Sequence, residues 1–275
     1  MNQFRNKTVL ITGASAGVGA QTARSFAKLG ANLVLIARNI EALNKIASEL
    51  EKATQVLVIP MNVTDSNKCD KAINEVINKF GSIDVLINNA GFHARGNVIA
   101  NKPDDLANMV EVNLTAPIYL SSLVLPYMKH KNSGAIVNVG SLAGRTPLQG
   151  AATYSATKAG LRAFTYALSD EVRETNINIG LVSPGPIDTG FIMDEIDKVE
   201  DIVFSQPMST AQQVTDAIIN VASGEAVEVS LPKSSGYLTT VSYLFPRLRR
   251  ILRPILYKKG RKAKKAYRNR NKTNE

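Results

Sequence analysis

The chain has 275 residues and 44% hydrophobic content, enough for one large globular domain or two small ones. A single cysteine, Cys69, excludes an intrachain disulfide, and two histidines far apart, His93 and His130, give no metal-ligand cluster, so no metal is expected. The net charge of +10 is uneven: residues 233–275 hold 14 of the 33 Lys+Arg and one of the 23 Asp+Glu, leaving 19 basic against 22 acidic residues before them.

An ordinary, slightly acidic domain over residues 1–232 therefore carries a basic extension over residues 233–275. The chain enters a strand by about Thr8 with no apolar leader before it, and no window of about 20 unbroken apolar residues occurs. The expectation is a reducing, cytoplasmic setting without a membrane span.

Thr8 to Thr12 reads as a short apolar strand, followed by the turn Gly13-Ala-Ser15-Ala-Gly17-Val18-Gly19 and a helix from Ala20 to Leu29. Glycines there let the backbone approach a pyrophosphate, and the free N–H groups at a helix start suit an anion. A dinucleotide site is expected, with a plain tight turn as the alternative. Asn32 to Ala37 is a second buried strand. An acid at its end would bind the adenosine ribose hydroxyls; this chain has Arg38 instead, whose guanidinium can grip a 2′-phosphate, with Ser15 as a second donor. NADP is favoured over NAD.

Strand and helix continue to alternate over Gln55–Pro60, Ser66–Phe80 and Ile83–Ile87, the last ending in Asn88-Asn89-Ala90-Gly91. Such alternation means an α/β fold with a parallel sheet covered on both faces. Asp104 to Lys129 is a long helical region, interrupted at Pro117 and Pro126, with Asn113 polar in an apolar stripe. Ala135 to Gly140 and Ile177 to Val182 are further strands, and Phe191 to Pro207 is a turn-containing insertion suited to a substrate lid, before a helix capped near Ser209 or Thr210.

Chemistry concentrates between Gly140 and Gly160. Ser141 ends a strand, where open α/β sheets bind ligands, and Tyr154 and Lys158 are spaced i to i+4 on a helix running from Thr153 to about Arg173. A free phenol, with a pKa of roughly 10, holds its proton too tightly for work near neutrality. A neighbouring cation favours the phenolate and brings it closer to the working range. Taken alone, the pair is better read as a half-buried tyrosine beside a solvated lysine, and the rest of the chain has to overturn that reading.

Thr12-Gly13-x-x-x-Gly17-x-Gly19, Asn88-Asn89-Ala90-Gly91, Asn113, Ser141, Tyr154-x-x-x-Lys158 and Pro184-Gly185 stand in the order and spacing of the short-chain dehydrogenase/reductase family, which the chain resembles over roughly residues 6–232. The resemblance implies a Rossmann-type doubly wound parallel sheet of about seven strands and hydride transfer between NADP(H) and a carbonyl or alcohol carbon. It implies that Tyr154 is the general acid in reduction, that Lys158 lowers its pKa and holds the nicotinamide ribose, that Ser141 holds the substrate oxygen, and that Asn113 anchors a water in a proton relay. It also places Val18, Asn62, Val63, Asn89, Ala90, Gly91, Pro184, Gly185, Ile187 and Thr189 along the cofactor. Asn62 departs from the family's aspartate at the adenine, and the usual glycine-rich ending is missing after Leu231-Pro232. Family habit suggests a homodimer or homotetramer through the helices around 104–129 and 153–173.

Tyr237 to about Lys265 spaces Leu244, Leu248, Ile251, Leu252 and Ile255 helically, with Arg247, Arg249, Arg250 and Arg253 among them, breaks at Pro246 and Pro254, and a polybasic run from Lys258 to Lys265. Such cationic amphipathic segments lie on anionic membranes. The alternative is a helix packed on its own domain or on a partner copy. Nucleic acid ranks third, since cations alone attract it nonspecifically and no recognition module accompanies them. The tail looks similar to the extended C-termini of family members that reduce lipophilic ketones. These features suggest a reductase of lipophilic carbonyl compounds, peripheral to a membrane, with Phe92, Leu148, Phe191, Ile192 and Met193 as an apolar wall. A soluble broad-specificity alcohol dehydrogenase or carbonyl reductase whose tail mediates oligomerisation, and a noncatalytic NADP-binding sensor or scaffold, are the other readings.

Overall fold

The structure, a computed structural model, describes residues 3–273, with side chains as far as Asn269. Seven parallel strands, β1 (Thr8–Thr12), β2 (Asn32–Ala37), β3 (Val56–Pro60), β4 (Val85–Asn88), β5 (Gly134–Val139), β6 (Ile177–Pro184) and β7 (Glu228–Leu231), form one sheet in the order β3-β2-β1-β4-β5-β6-β7. The strand order reverses between β1 and β4, and a crevice opens at the carboxyl ends of those strands.

The helices are α1 (Gly17–Lys28), α2 (Ile40–Leu50), α3 (Ser66–Phe80), α4 (Pro103–Val110), α5 (Ala116–Lys131), α6 (Ala152–Glu171), α7 (Gly190–Met193), α8 (Ala211–Ala222), α9 (Lys233–Leu244) and α10 (Pro246–Thr273). One face of the sheet presents Val9, Ile11, Leu33, Leu35 and Val137 to α1, α2 and α8, and the other presents Leu10, Val34, Leu86 and Ile136 to α3, α5 and α6. Both faces are covered, which is why the central strands read as continuous apolar runs.

Three details differ from the sequence reading. The region around Pro117 and Pro126 is not interrupted: α4 passes through a five-residue π turn, Glu111–Thr115, directly into α5. Pro117 sits in the first turn beyond that wide turn, where a missing N–H is tolerated, and Pro126 is accommodated within α5. The second difference concerns a membrane span. Pro103–Lys131 is long and apolar enough to cross a bilayer by length and composition. In this fold it packs on the sheet instead, with Leu120, Val124 and Met128 buried against it. Third, α10 continues through Pro254, so the tail breaks only at Phe245–Pro246, where a residue preceding proline is driven out of helical geometry.

Candidate active site

A cleft of about 1690 Å³ runs along the carboxyl ends of the strands. Its first part is built by the turn between β1 and α1. Gly13 adopts φ +66°, and a side chain at Gly19 would lie 2.1 Å from the Gly13 carbonyl, so this tight turn requires glycine at both positions. The α1 N-cap is Ala16, whose side chain cannot satisfy the first-turn N–H groups. Gly13, Ser15, Gly17 and Val18 line the cleft; Gly19 sits behind them as packing.

The Thr12 hydroxyl accepts from the N–H groups of Asn89 and Ala90, both at 3.0 Å, and the Asn89 amide donates to the Thr12 carbonyl at 2.9 Å. These bonds tie the end of β4 to the glycine turn and set Asn89, Ala90 and Gly91 along the same wall. Arg38, Asn62 and Val63 stand at its outer end. Arg38 is exposed and has no acidic partner among the described residues, whereas the Asn62 side-chain oxygen accepts from Thr64 N–H at 3.3 Å. Pro184, Gly185, Ile187 and Thr189 close the opposite wall, and Gly185 is fixed by its N–H to the Leu231 carbonyl at 2.7 Å.

Ser141, Tyr154 and Lys158 meet in the middle of the cleft. Ser141 stands two residues beyond the end of β5 and caps the short turn Leu142–Gly144, accepting from Ala143 N–H at 3.1 Å. That turn lies so close to α6 that a side chain at Gly144 would stand 2.6 Å from the Lys158 backbone. The i to i+4 spacing puts Tyr154 and Lys158 on one face, with the Lys158 Nζ 5.9 Å from the phenol ring centre and donating to the Val139 carbonyl at 2.8 Å. Burial lowers the Lys158 ammonium to a pKa of about 8. Burial pushes the Tyr154 hydroxyl up, opposed by a hydrogen bond with Ser141 and by the charge of Arg95. Arg95 thus joins Lys158 as a cation placed near the phenol.

Asn113 lies at the centre of the π turn, fully buried behind the cleft wall. Its side chain brackets one residue, accepting from Phe92 N–H at 3.0 Å and donating to the Phe92 carbonyl at 2.8 Å. Of the expected apolar wall, Phe92, Leu148, Phe191 and Ile192 line the cleft, while Met193 turns away to pack with Val199 and Phe204.

Sequence reasoning passed over His93 and Arg95. The His93 ring stacks on Tyr154 with centres 4.4 Å apart and planes at 17°. Burial and the nearby Arg95 charge bring its pKa down to about 4, so the imidazole is neutral. Arg95 lies 3.1 Å from the Glu195 carboxylate and 3.2 Å from His93 Nδ1, and donates to the Phe191 carbonyl. Both residues directly follow the Asn88–Gly91 motif, which was the available signal. Glu228 was also missed. It bonds Arg145 at 2.6 Å, Arg162 at 2.9 Å, and the Tyr166 and Ser183 hydroxyls at 2.7 Å each, joining the Ser141 turn, α6 and β6.

The expected lid consists of α7 and two short 3-10 turns, Ile196–Lys198 and Asp201–Ser205. Ile192, Val199 and Phe204 form a small core there, against which Ala263 and Tyr267 of α10 pack.

The sequence model of the family described as short chain dehydrogenase matches residues 7–201. The chain belongs to this family. As a short-chain dehydrogenase it is 36% identical over 227 residues to an NADP-dependent 3-hydroxy acid dehydrogenase of Schizosaccharomyces pombe, covering 80% of this chain and 88% of that one. It is 32% identical over 223 residues to an uncharacterized oxidoreductase of Staphylococcus epidermidis, covering 80% and 92%. Among solved structures, a metagenomic short-chain oxidoreductase in complex with NADP superposes with a TM-score of 0.71 at 28% identity, covering 82% of this chain and 97% of that one. This short-chain dehydrogenase is therefore an oxidoreductase by family and by fold.

Proposed function

We propose that the protein is an NADP(H)-dependent reductase of a lipophilic ketone or aldehyde working at a membrane surface, with residues 1–232 as the catalytic domain and 233–275 as a substrate-side extension. One observation carries this reading: a continuous cleft joins the glycine turn and Arg38 to Tyr154 and Lys158, and continues to apolar side chains of the lid and tail. The cofactor fits the residues present. The tight glycine turn, the uncapped start of α1 and the unpaired Arg38 match a pyrophosphate and a 2′-phosphate. The Schizosaccharomyces relative is NADP-dependent by name and the metagenomic neighbour was solved with NADP, which supports the choice.

When bound, the nicotinamide supplies the hydride. Ser141 holds the substrate oxygen, and Tyr154 gives its phenolic proton to that oxygen as negative charge grows there. Arg95 and the Lys158 ammonium stabilise the phenolate left behind. Asn113 keeps the Phe92 backbone in place beside them and anchors the relay that returns the proton.

The anionic membrane reading rests on the tail, where Leu244, Ile251 and Ile255 are each about two-thirds exposed beside exposed arginines. Ile118 and Tyr127 of α5 and Tyr166 of α6 are also exposed, which supports homo-oligomer contacts on those helices. A soluble carbonyl reductase is the second reading, favoured by the packing of the far half of α10 on the lid. The discriminating experiment follows NADPH oxidation across ketones and aldehydes of rising chain length, with and without anionic liposomes. A specificity constant that climbs with chain length and rises further with liposomes supports the proposal. Preference for short polar carbonyls, with no effect of liposomes, supports the second reading.

A further inference from the structure

The two halves of α10 do different things. The far half is held to the lid: Tyr257 donates to Glu200 at 3.0 Å, Asp201 pairs with Arg261 at 3.0 Å and Lys264 at 3.4 Å, and the Lys264 Nζ donates to the Val199 carbonyl at 2.6 Å. Gly260 sits so tightly on this segment that a side chain there would overlap the Asp201 carbonyl. The lid thereby fixes the orientation of the whole helix. The near half, with α9, presents an apolar face to solvent, in which Ile251 and Ile255 are 69% and 65% exposed.

Four residues of this region, Leu238, Val241, Leu248 and Leu252, are at once exposed and part of the wall of the cleft that holds Tyr154. The rim of the catalytic cleft and the apolar face of the tail are the same surface. Flanking it, Arg247, Arg250, Lys258 and Lys259 are exposed and have no acidic partner among the described residues, whereas Arg261, Lys264 and Arg268 of the far half are paired with lid acids. Charge on one side and apolar area on the other match the headgroup and acyl layers of an anionic bilayer.

We infer that the cleft opens through the docking face itself, so that substrate enters from the lipid layer rather than from water. An anionic bilayer seated on the near half of α10 lies against the mouth, and the lid is fixed beside it by the far half. A lipophilic carbonyl compound dissolved in the bilayer reaches Tyr154 along the apolar rim without crossing water. The inference rests on the membrane reading above and adds to it an orientation and a portal.

The chain contains no tryptophan, so a single introduced one is an unambiguous probe. Full-length Leu238→Trp and Leu252→Trp place it on the rim, and Lys52→Trp places it on the exposed turn between α2 and β3, at the amino-terminal edge of the sheet. Each protein is sedimented with vesicles of phosphatidylglycerol and brominated phosphatidylcholine, and its emission is recorded. The expected result is co-sedimentation of all three, with rim emission quenched at least about twofold and the Lys52→Trp signal unchanged. Co-sedimentation with an unquenched rim overturns the portal while leaving membrane association standing. Failure of all three to sediment removes the membrane reading and the portal with it. A second arm uses Ile251→Asp/Ile255→Asp, which lie on the docking face but do not line the cleft. This variant should keep short-ketone turnover within about twofold and lose at least about tenfold on a ketone delivered in vesicles. Equal turnover of the vesicle-borne ketone by this variant and the parent also overturns the inference.

Discussion

Glu228→Gln removes a charge at the point where the catalytic elements are tied together. The carboxylate is only 7% exposed and bonds Arg145, Arg162, Tyr166 and Ser183. Against the cost of burial, these partners hold its pKa down from 4.5 to about 2. A depression of that size is worth about 3 kcal/mol of folding stability at pH 7. Glutamine keeps the shape and one acceptor but leaves the guanidinium groups of Arg145, largely buried, and Arg162, 35% exposed, without their counter-charge. The expected loss, read by urea denaturation at pH 7, is about 3 kcal/mol, or about 6–12 °C in Tm. Because the folded pKa is depressed, the stabilisation is complete above about pH 4.5 and is lost as pH falls towards 2. The gap between the two proteins should therefore narrow to about half by pH 3. Arg145 follows the Ser141 turn and Arg162 lies one helical turn beyond Lys158, so kcat should fall on the order of tenfold to a hundredfold with KM little changed. A loss below about 1 kcal/mol at pH 7, or a gap that stays constant with pH, would refute this account of Glu228.

Tyr154→Phe should lower kcat by at least about a hundredfold while NADPH still quenches or shifts fluorescence on binding; substantial residual turnover would remove the tyrosine from the proton-transfer step. Arg38→Ala should raise KM for NADPH by about tenfold or more with little change for NADH, and equal changes would dismiss the phosphate contact. Arg95→Gln removes the charge that lowers the Tyr154 pKa, so the basic limb of kcat/KM for reduction should move to higher pH; an unmoved limb would show that Arg95 only positions the lid. Gly260→Ala forces α10 off the Asp201 backbone, and hydrogen exchange should speed up across residues 196–205 while the central strands stay protected. Unchanged exchange in that segment would mean the lid does not depend on the tail.

The α/β architecture was legible because its signals are local. A parallel sheet covered on both faces needs unbroken apolar strands, and TVLIT and NLVLIA state that directly. The glycine turn and the i to i+4 pair are local too, and Gly13 and Gly17 with Tyr154 and Lys158 stood out once their order and spacing were taken together with the other family motifs. Position in the chain was a poorer guide to helix continuity. Pro117 and Pro254 look like breaks, yet a π turn precedes the first and α10 runs on through the second, so both regions stay continuous.

What the sequence by itself determined is therefore the fold class, the glycine turn and the candidate set Ser141, Tyr154 and Lys158, the first two encoded within single strands and turns and the last by the order of the motifs. Only tertiary structure decided which groups act on them. Arg95 reaches Tyr154 from a loop that carries no periodic pattern, and Glu228 gathers partners from across more than 80 residues of chain. The tail was likewise readable as cationic and amphipathic, but spacing could not divide its charges. The fold pairs Arg261 and Lys264 with lid acids and leaves Arg247 and Arg250 without an acidic partner among the described residues, because only the far half of α10 comes within reach of Asp201.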